Sequence, residues 1–327
     1  MAEKESFNCI APFHNKSQIV VSDGLLENTG KPLTLLIKEG EKMKDTLQIV
    51  DLRTDKFNDK LKSSSKLIFS KNSSAKIIIC THSNNKTSVL TEEIKEIQIE
   101  ENAEVDILIV QNEHSNSIHK TDININMKTG SSLNMVTSTF HGGETINQIN
   151  VNLDGERITC EMNGICIADE SQRVSNTVNM NHLKPNCNSN QLFKVIVNDK
   201  AISRFDGLIK VVKDAQKTEA YQVNNNLIFS DESHAFSKPH LEIYADDVQC
   251  SHGATFGSIN EEQIFYMRSR GISIYEAKLL QQLAFANQVL EKVRDEDIRT
   301  ILLNLVEKRL RGEISICDIC NTSDSQS

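Results

Sequence analysis

The chain of 327 residues carries a formal net charge of -9 at pH 7, with 5% aromatic residues and no tryptophan. That acidic balance excludes a nucleic-acid backbone as the main partner, because proteins that bind one cluster Lys and Arg to displace counterions. So few aromatics leave little material for a flat-cofactor pocket, whereas the many Asn and Ser residues favour repeated polar turns.

The N-terminal segment, residues 1–19, has no apolar run. No other stretch approaches the roughly 18 consecutive apolar residues of a spanning helix, so the expectation is a soluble, cytoplasmic protein without a membrane partner. The eight cysteines (Cys9, Cys80, Cys160, Cys166, Cys187, Cys250, Cys317 and Cys320) are scattered. In a chain long enough to build its own core, that scatter predicts free thiols in a reducing compartment.

From residue 20 to 271 the pattern predicts one large β domain. Apolar residues recur at every second position in short bursts: Ile123, Ile125 and Met127; Ile149, Val151 and Leu153; Ile158, Cys160 and Met162; Phe193, Val195 and Val197; Leu241, Ile243 and Ala245. Such alternation marks a strand with one buried face. Turn formers stand between bursts, at Lys128-Thr129-Gly130, Asp154-Gly155, Asn163-Gly164 and Asn198-Asp199. A sandwich, a barrel and a β-helix all accommodate this spacing, and no repeat of residue identity selects among them.

From residue 272 to 316 the texture becomes helical. Ser273-Ile-Tyr-Glu276 reads as a capping box, with the serine on the N3 amide and the glutamate reaching back to the cap amide. Leu279, Leu280, Leu283, Ala286, Leu290 and Val293 then share one face. A second helix opens on Asp295–Asp297, carries Ile298, Ile301, Leu302, Leu305 and Leu310 as its stripe, and ends on Lys308, Arg309, Arg311 and Gly312. The expectation is a C-terminal helical hairpin whose stripes bury on each other and on the β domain, or in part dock another protein. Residues 317–327 read as a flexible tail. Their lone Cys317-Asp-Ile-Cys320 is half of what a zinc site needs.

The chemistry concentrates in Ala245-Asp-Asp-Val-Gln-Cys-Ser-His-Gly253. On a strand, Cys250 and His252 share one face, about 7 Å apart at Cα. They can converge on a third point, as two ligands of a metal or cluster, better than they can pass a proton to each other. No nucleophile turn flanks them. Thiolate and imidazole suit iron–sulfur, zinc or copper. Asp246 and Asp247 point to opposite faces of a strand, so at most one joins the pair, and Gly253 offers a bend that turns the imidazole. The ordinary alternative is a buried Cys250 and a hydrogen-bonded His252 at a strand end. His141-Gly142-Gly143 matches no phosphate-binding loop, so no nucleotide site is expected on this chain.

Four segments resemble the SufD family of the SUF iron–sulfur cluster assembly machinery. They are HLKPNCNSNQLFKVIV from His182, FDGLIKVVKDAQKTEAYQVNNNLIFSDES from Phe205, KPHLEIYADDVQCSHGATFGSINEEQIFYMRSRGI from Lys238 and LVEKRLRGE from Leu305. They lie in the family's order and cover nearly half of the chain. Strand texture begins here within about twenty residues, where members of the family often carry a longer helical region. The richer cysteine set of SufB-like paralogues is absent, which favours the SufD side of the pair.

The resemblance implies a right-handed parallel β-helix core with a C-terminal helical part. It further implies pairing with a SufB-like paralogue through the β-helices, a homodimer when that partner is absent, and a SufC-like ATPase bound through the helical end, where Leu280, Leu283 and Leu302 are candidate contacts. The family's interface histidine falls on His252 and the nearby cysteine on Cys250. The implied cofactor is a transient iron–sulfur cluster shared with the partner, with reduced flavin as a further candidate in the complex. The chain would then be a non-catalytic scaffold that helps build nascent clusters and pass them to acceptor proteins. The reading of a different class is a self-sufficient metal-dependent enzyme using Asp247, Cys250 and His252.

Overall fold

Apolar alternation becomes strand from Ser17 to Gly257. The computed structural model describes residues 17–54, 60–83 and 89–313. Cys9 and the Cys317–Cys320 pair lie outside the described residues. The first strands are β1 (Ser17–Ser22), β2 (Leu25–Leu26), β3 (Leu33–Ile37), β4 (Leu47–Arg53), β5 (Lys60–Phe69) and β6 (Ser74–Ser83). Next come β7 (Leu90–Ile99), β8 (Glu104–Asn112), β9 (Ile118–Met127), β10 (Ser132–His141), β11 (Glu144–Leu153) and β12 (Thr159–Ala168). The last are β13 (Arg173–His182), β14 (Asn188–Val197), β15 (Ile202–Val211), β16 (Thr218–Ile228), β17 (His234–Ile243) and β18 (Val248–Gly257).

Even-numbered strands, with β1, form a ten-stranded sheet in the order β18-β16-β14-β12-β10-β8-β6-β4-β1-β2. The odd strands from β3 to β17 form an eight-stranded sheet. Neighbours within a sheet are mostly two strands apart in sequence, because the chain visits the other sheet between them, and they run parallel except for β1 with β2. This is a parallel β-solenoid of about eight turns, one of the three architectures that the alternation allows.

The interior follows from register. Ile97, Ile125, Val151, Met180 and Ile209 stack as one column through five turns, each fully buried. Each side chain contributes about 1.5–3 kcal/mol relative to an exposed one. The corners also repeat. Asn72, Asn102, Gly130, Arg157, Asn186 and Lys217 all have positive φ, once per turn. Their amides tie successive turns, as Asn72 N to Glu101 O at 2.9 Å and Gly130 N to Glu156 O at 2.8 Å. Different residue types at unequal spacings make one repeated backbone conformation, so the period leaves no trace in residue identity. Asn163-Gly164, expected as a turn, lies inside β12. A Cβ on Gly164 would sit 2.5 Å from the Phe193 ring, so this glycine makes room for a neighbour rather than a corner.

The two sheets differ on their outer faces. In the even sheet the runs Ile77-Ile78-Ile79-Cys80, Ile107-Leu108-Ile109-Val110 and Ile165-Cys166-Ile167-Ala168 are buried on both sides. Ile78, Leu108, Val136, Phe140, Ile165 and Ile196 pack outward against Ala286, Val289, Leu290, Ile298, Leu302 and Val306 of the C-terminal helices. Continuous apolar runs are what a doubly covered parallel sheet requires.

There are three helices among the described residues: α1 (Glu261–Ser269), α2 (Ile274–Leu290) and α3 (Glu296–Leu310). The hairpin expected from residue 272 is α2 and α3; α1 is an addition. It is capped by Asn260, whose side chain accepts from Gln263 N at 3.0 Å, but it buries only Ile264 and so has no apolar stripe to betray it. Ser273 caps α2 as expected, at 3.1 Å from Glu276 N. The other half of the capping box gives way to tertiary structure: both Glu276 carboxylate oxygens bind Arg311, at 2.8 and 3.2 Å. Arg309, expected only to favour the negative end of α3, is buried and anchors the helix. It donates to Phe140 O at 2.6 Å and to both oxygens of Asp169 at 2.6 Å.

Candidate functional site

Because the solenoid has a last turn, the inward faces of β17 and β18 have no further turn above them. Leu241 is only partly buried and Ile243 is 39% exposed, although both continue buried columns. β18 pairs with β16 alone, so one edge of the even sheet carries unpaired backbone donors and acceptors.

Cys250 and His252 are on this edge strand, in register with Ala220 and Gln222 of β16. Val248 and Cys250 pack against the main core, which makes theirs the inward face, and His252 two residues on shares it. Cys250 is half-buried, and His252 is exposed at the open end. Burial pushes the Cys250 thiol up against the opposing pull of a backbone hydrogen bond at Ala220. A thiol held protonated is the reverse of an activated nucleophile. As a cluster ligand it needs deprotonation only when metal arrives.

Asp246 and Asp247 are not on a strand. They form the exposed bend between β17 and β18, where Asp247 O accepts from Lys217 N at 2.6 Å and its own amide donates to Gln216 Oε1 at 2.9 Å. The bend continues the inter-turn bonding of the corners, with Asp247 O taking the Lys217 amide as Gln216 O takes that of Asn186, although none of its residues has positive φ. Gly253 continues the ladder opposite Val223 and is not among the positive-φ glycines, so it supplies no bend. A Cβ there would meet nothing within 4 Å. Among the described residues no group of three or more His, Cys, Asp or Glu is arranged to hold a metal ion. The edge thus offers two donors, on a surface where further donors would have to come from elsewhere.

At the helical end the three candidate leucines separate. Leu302 is fully buried against the even sheet, Leu283 is partly buried there, and Leu280 is 41% exposed. Leu302 is therefore an intramolecular core residue and presents no surface to a partner. Leu280 lines a groove of about 620 Å³ between α1, α2 and the end of β16, with Leu227, Tyr266, Met267, Ala284 and Phe285. Tyr266 in that lining is 59% exposed, and Phe265, the residue before it in α1 and outside the lining, is 76% exposed. Sequence reasoning missed both because it missed α1; the signal was Asn260 followed by Glu261 and Glu262, a cap with acidic residues in the first turn.

The family model for the SUF system FeS cluster assembly SufBD core domain matches residues 54–285, which run from the early turns of the solenoid into α2. The chain belongs to the SufBD core family. SufD of Escherichia coli, an iron–sulfur cluster assembly protein, is 43% identical over 160 residues, 49% of this chain and 38% of its own length. A SufBD family iron–sulfur cluster assembly protein of Synechocystis is 31% identical over 216 residues, 65% of this chain and 47% of its own. The chloroplastic protein ABCI7 of Arabidopsis thaliana is 28% identical over 220 residues, 66% of this chain and 46% of its own. The chain spans less than half the length of each of these relatives. The SufD resemblance seen in the segments from His182 onward is thus borne out. No described helix is long and apolar enough to cross a membrane.

Proposed function

We propose that this chain is a non-catalytic scaffold subunit of a SUF-type complex. A nascent iron–sulfur cluster, as cargo, is held between its β18 edge and a SufB-like solenoid, and is then passed to acceptor proteins. The observation that carries this reading is the position of Cys250 and His252: lumen-facing, on an unpaired edge strand, at an end where no further turn covers them. Iron–sulfur centres take four ligands, mostly thiolate. Two donors on an open edge supply part of that set, and a site completed only by a partner releases its product when the partner moves. A SufC-like ATPase fits the groove between α1 and α2, where Tyr266 and Leu280 leave the kind of exposed apolar surface that marks a protein contact.

The test is reconstitution of the complex with its paralogue and ATPase partners, followed by anaerobic measurement of iron and sulfide incorporation. His252→Ala should leave the complex assembled and reduce cluster yield severalfold; wild-type yield from that variant overturns the role of His252. The chain purified alone distinguishes a scaffold from an enzyme of its own. Stoichiometric metal held by Asp247, Cys250 and His252 without partners would replace the scaffold by the enzyme.

A further inference from the structure

Behind His252 the lumen is unusually polar. The column that ends at His252 passes through Met162 and then carries Gln191 and Gln222, one per turn on adjacent strands of the even sheet. Both amides are buried, Gln191 at 3% and Gln222 at 0% exposure. Gln222 Nε2 donates to Gln191 Oε1 at 2.9 Å along the solenoid axis, and beyond it Gln191 Nε2 is buried with no partner, next to Met162. At the other end of the Gln222 amide, Oε1 is fully buried with no hydrogen-bond partner. A buried acceptor left this way costs about 1–3 kcal/mol.

The fold accommodates that amide. A Cβ on Gly207, across the lumen on β15, would lie 2.4 Å from Gln222 Oε1 and 2.5 Å from Nε2, so the glycine there leaves the space the amide fills. The nitrogen of a side-chain amide and its oxygen lie on opposite sides of the group. With Nε2 bound toward β14, Oε1 faces the β18 side, and the residue on the next rung, about 4.8 Å on, is His252.

We propose that Gln222 is a positioning residue for His252: the imidazole, exposed and not hydrogen-bonded to the amide in this structure, turns inward so that the orphaned Oε1 accepts the N–H of one ring nitrogen, and the other nitrogen is thereby left with its lone pair toward the open end. A neutral imidazole carries one donor and one acceptor nitrogen, and the hydrogen bond made by the first decides which nitrogen is free to ligate. The Gln222 amide would hold the histidine from the inside, while its outer side stays clear for the cluster. This rests on the reading of His252 as a cluster ligand.

The experiment uses the full chain without partners or cluster, labelled with ¹⁵N in its histidine rings. The ring nitrogen shifts report the tautomer at one fixed pH, and His252→Ala identifies the signals. In the wild type one tautomer should dominate. Gln222→Met keeps the volume and removes the acceptor, and it should weaken that preference about five- to tenfold, the equilibrium counterpart of one hydrogen bond. Gln222→Glu keeps an acceptor of the same reach and should retain the preference. Should Gln222→Met not fold, Gly207→Ala, which displaces the amide without changing its chemistry, is read in its place and should weaken the preference likewise. A tautomer ratio that does not move when the amide is removed or displaced overturns the proposal. If the ratio moves yet His252→Ala complexes build clusters normally, the positioning role stands and the cluster reading falls.

Discussion

Polar groups recur along the solenoid lumen, and at its two ends their treatment is opposite. Near the N-terminal end, Asp51, Arg53, Glu93, Lys95, Glu113 and His119 are all buried, at 1–4% exposure. Three acids meet three bases: Arg53 pairs with Asp51, Lys95 with Glu93, and His119 lies 3.3 Å from Glu113 and 3.6 Å from Glu93. At the other end Cys250 and His252 stand as a lone pair of donors on the uncovered edge. The interior tolerates charge only where each charge is compensated, because an unpaired ion in low dielectric costs several kcal/mol. A polar pair left at an uncovered edge is under no such requirement and remains available for a ligand. Burial with compensation marks structure in this fold; exposure on an edge marks the candidate site.

Removing one member of the sealed network should show the largest effect. Arg53→Ala strips the partner from Asp51 and leaves excess buried negative charge, so it should destabilise by about 3–5 kcal/mol. Urea unfolding of the purified chain measures this, and a loss below about 1 kcal/mol would mean that the network is hydrated rather than sealed.

The helix-covered face comes next. Leu302→Ala should cost about 2–5 kcal/mol through the cavity it leaves, whereas Leu280→Ala on the exposed side of the same helical layer should change stability by less than about 0.5 kcal/mol. Leu280→Ala should nonetheless weaken ATPase capture in a pull-down. Equal destabilisation by the two variants would remove the distinction between core and docking leucines.

Smaller still, and gradual, is the response to pH. Burial pushes His119 down, but the carboxylates of Glu113 and Glu93 raise it further, to about 9. A raised folded-state pKa means that the protonated imidazole stabilises the fold fully below the unfolded value near 6.5. That stability is lost as pH climbs through 9. A tenfold change in proton affinity is worth about 1.4 kcal/mol. With Arg53 and His82 also acting on Glu113, the loss should be at most about 3 kcal/mol. His119→Gln should flatten the stability profile between about pH 7 and 10, the range around the raised value.

Much of this molecule is legible in one dimension. Strand periodicity, the Ser273 cap, the stripes of α2 and α3 and the pairing of Cys250 with His252 on one face all follow from local sterics and a two-residue or 3.6-residue repeat. Those rules depend only on neighbours along the chain, so the sequence by itself determines them. The sealed network was not legible. Arg53, Lys95 and His119 look like ordinary polar strand residues, and what makes them interior is the register that sets Glu93 beside Thr121 and Lys95 beside Ile123. Glu276 and Arg309 likewise carry sequence signals for local roles, and contacts with Arg311 and Asp169 override or extend them. The solenoid itself was decided in three dimensions, since its period resides in corners of shared φ rather than shared residue type. So was the character of the site. Whether a Cys–His strand is buried core or open edge depends on whether another turn follows, and that is a property of how many turns stack, not of any residue in the strand.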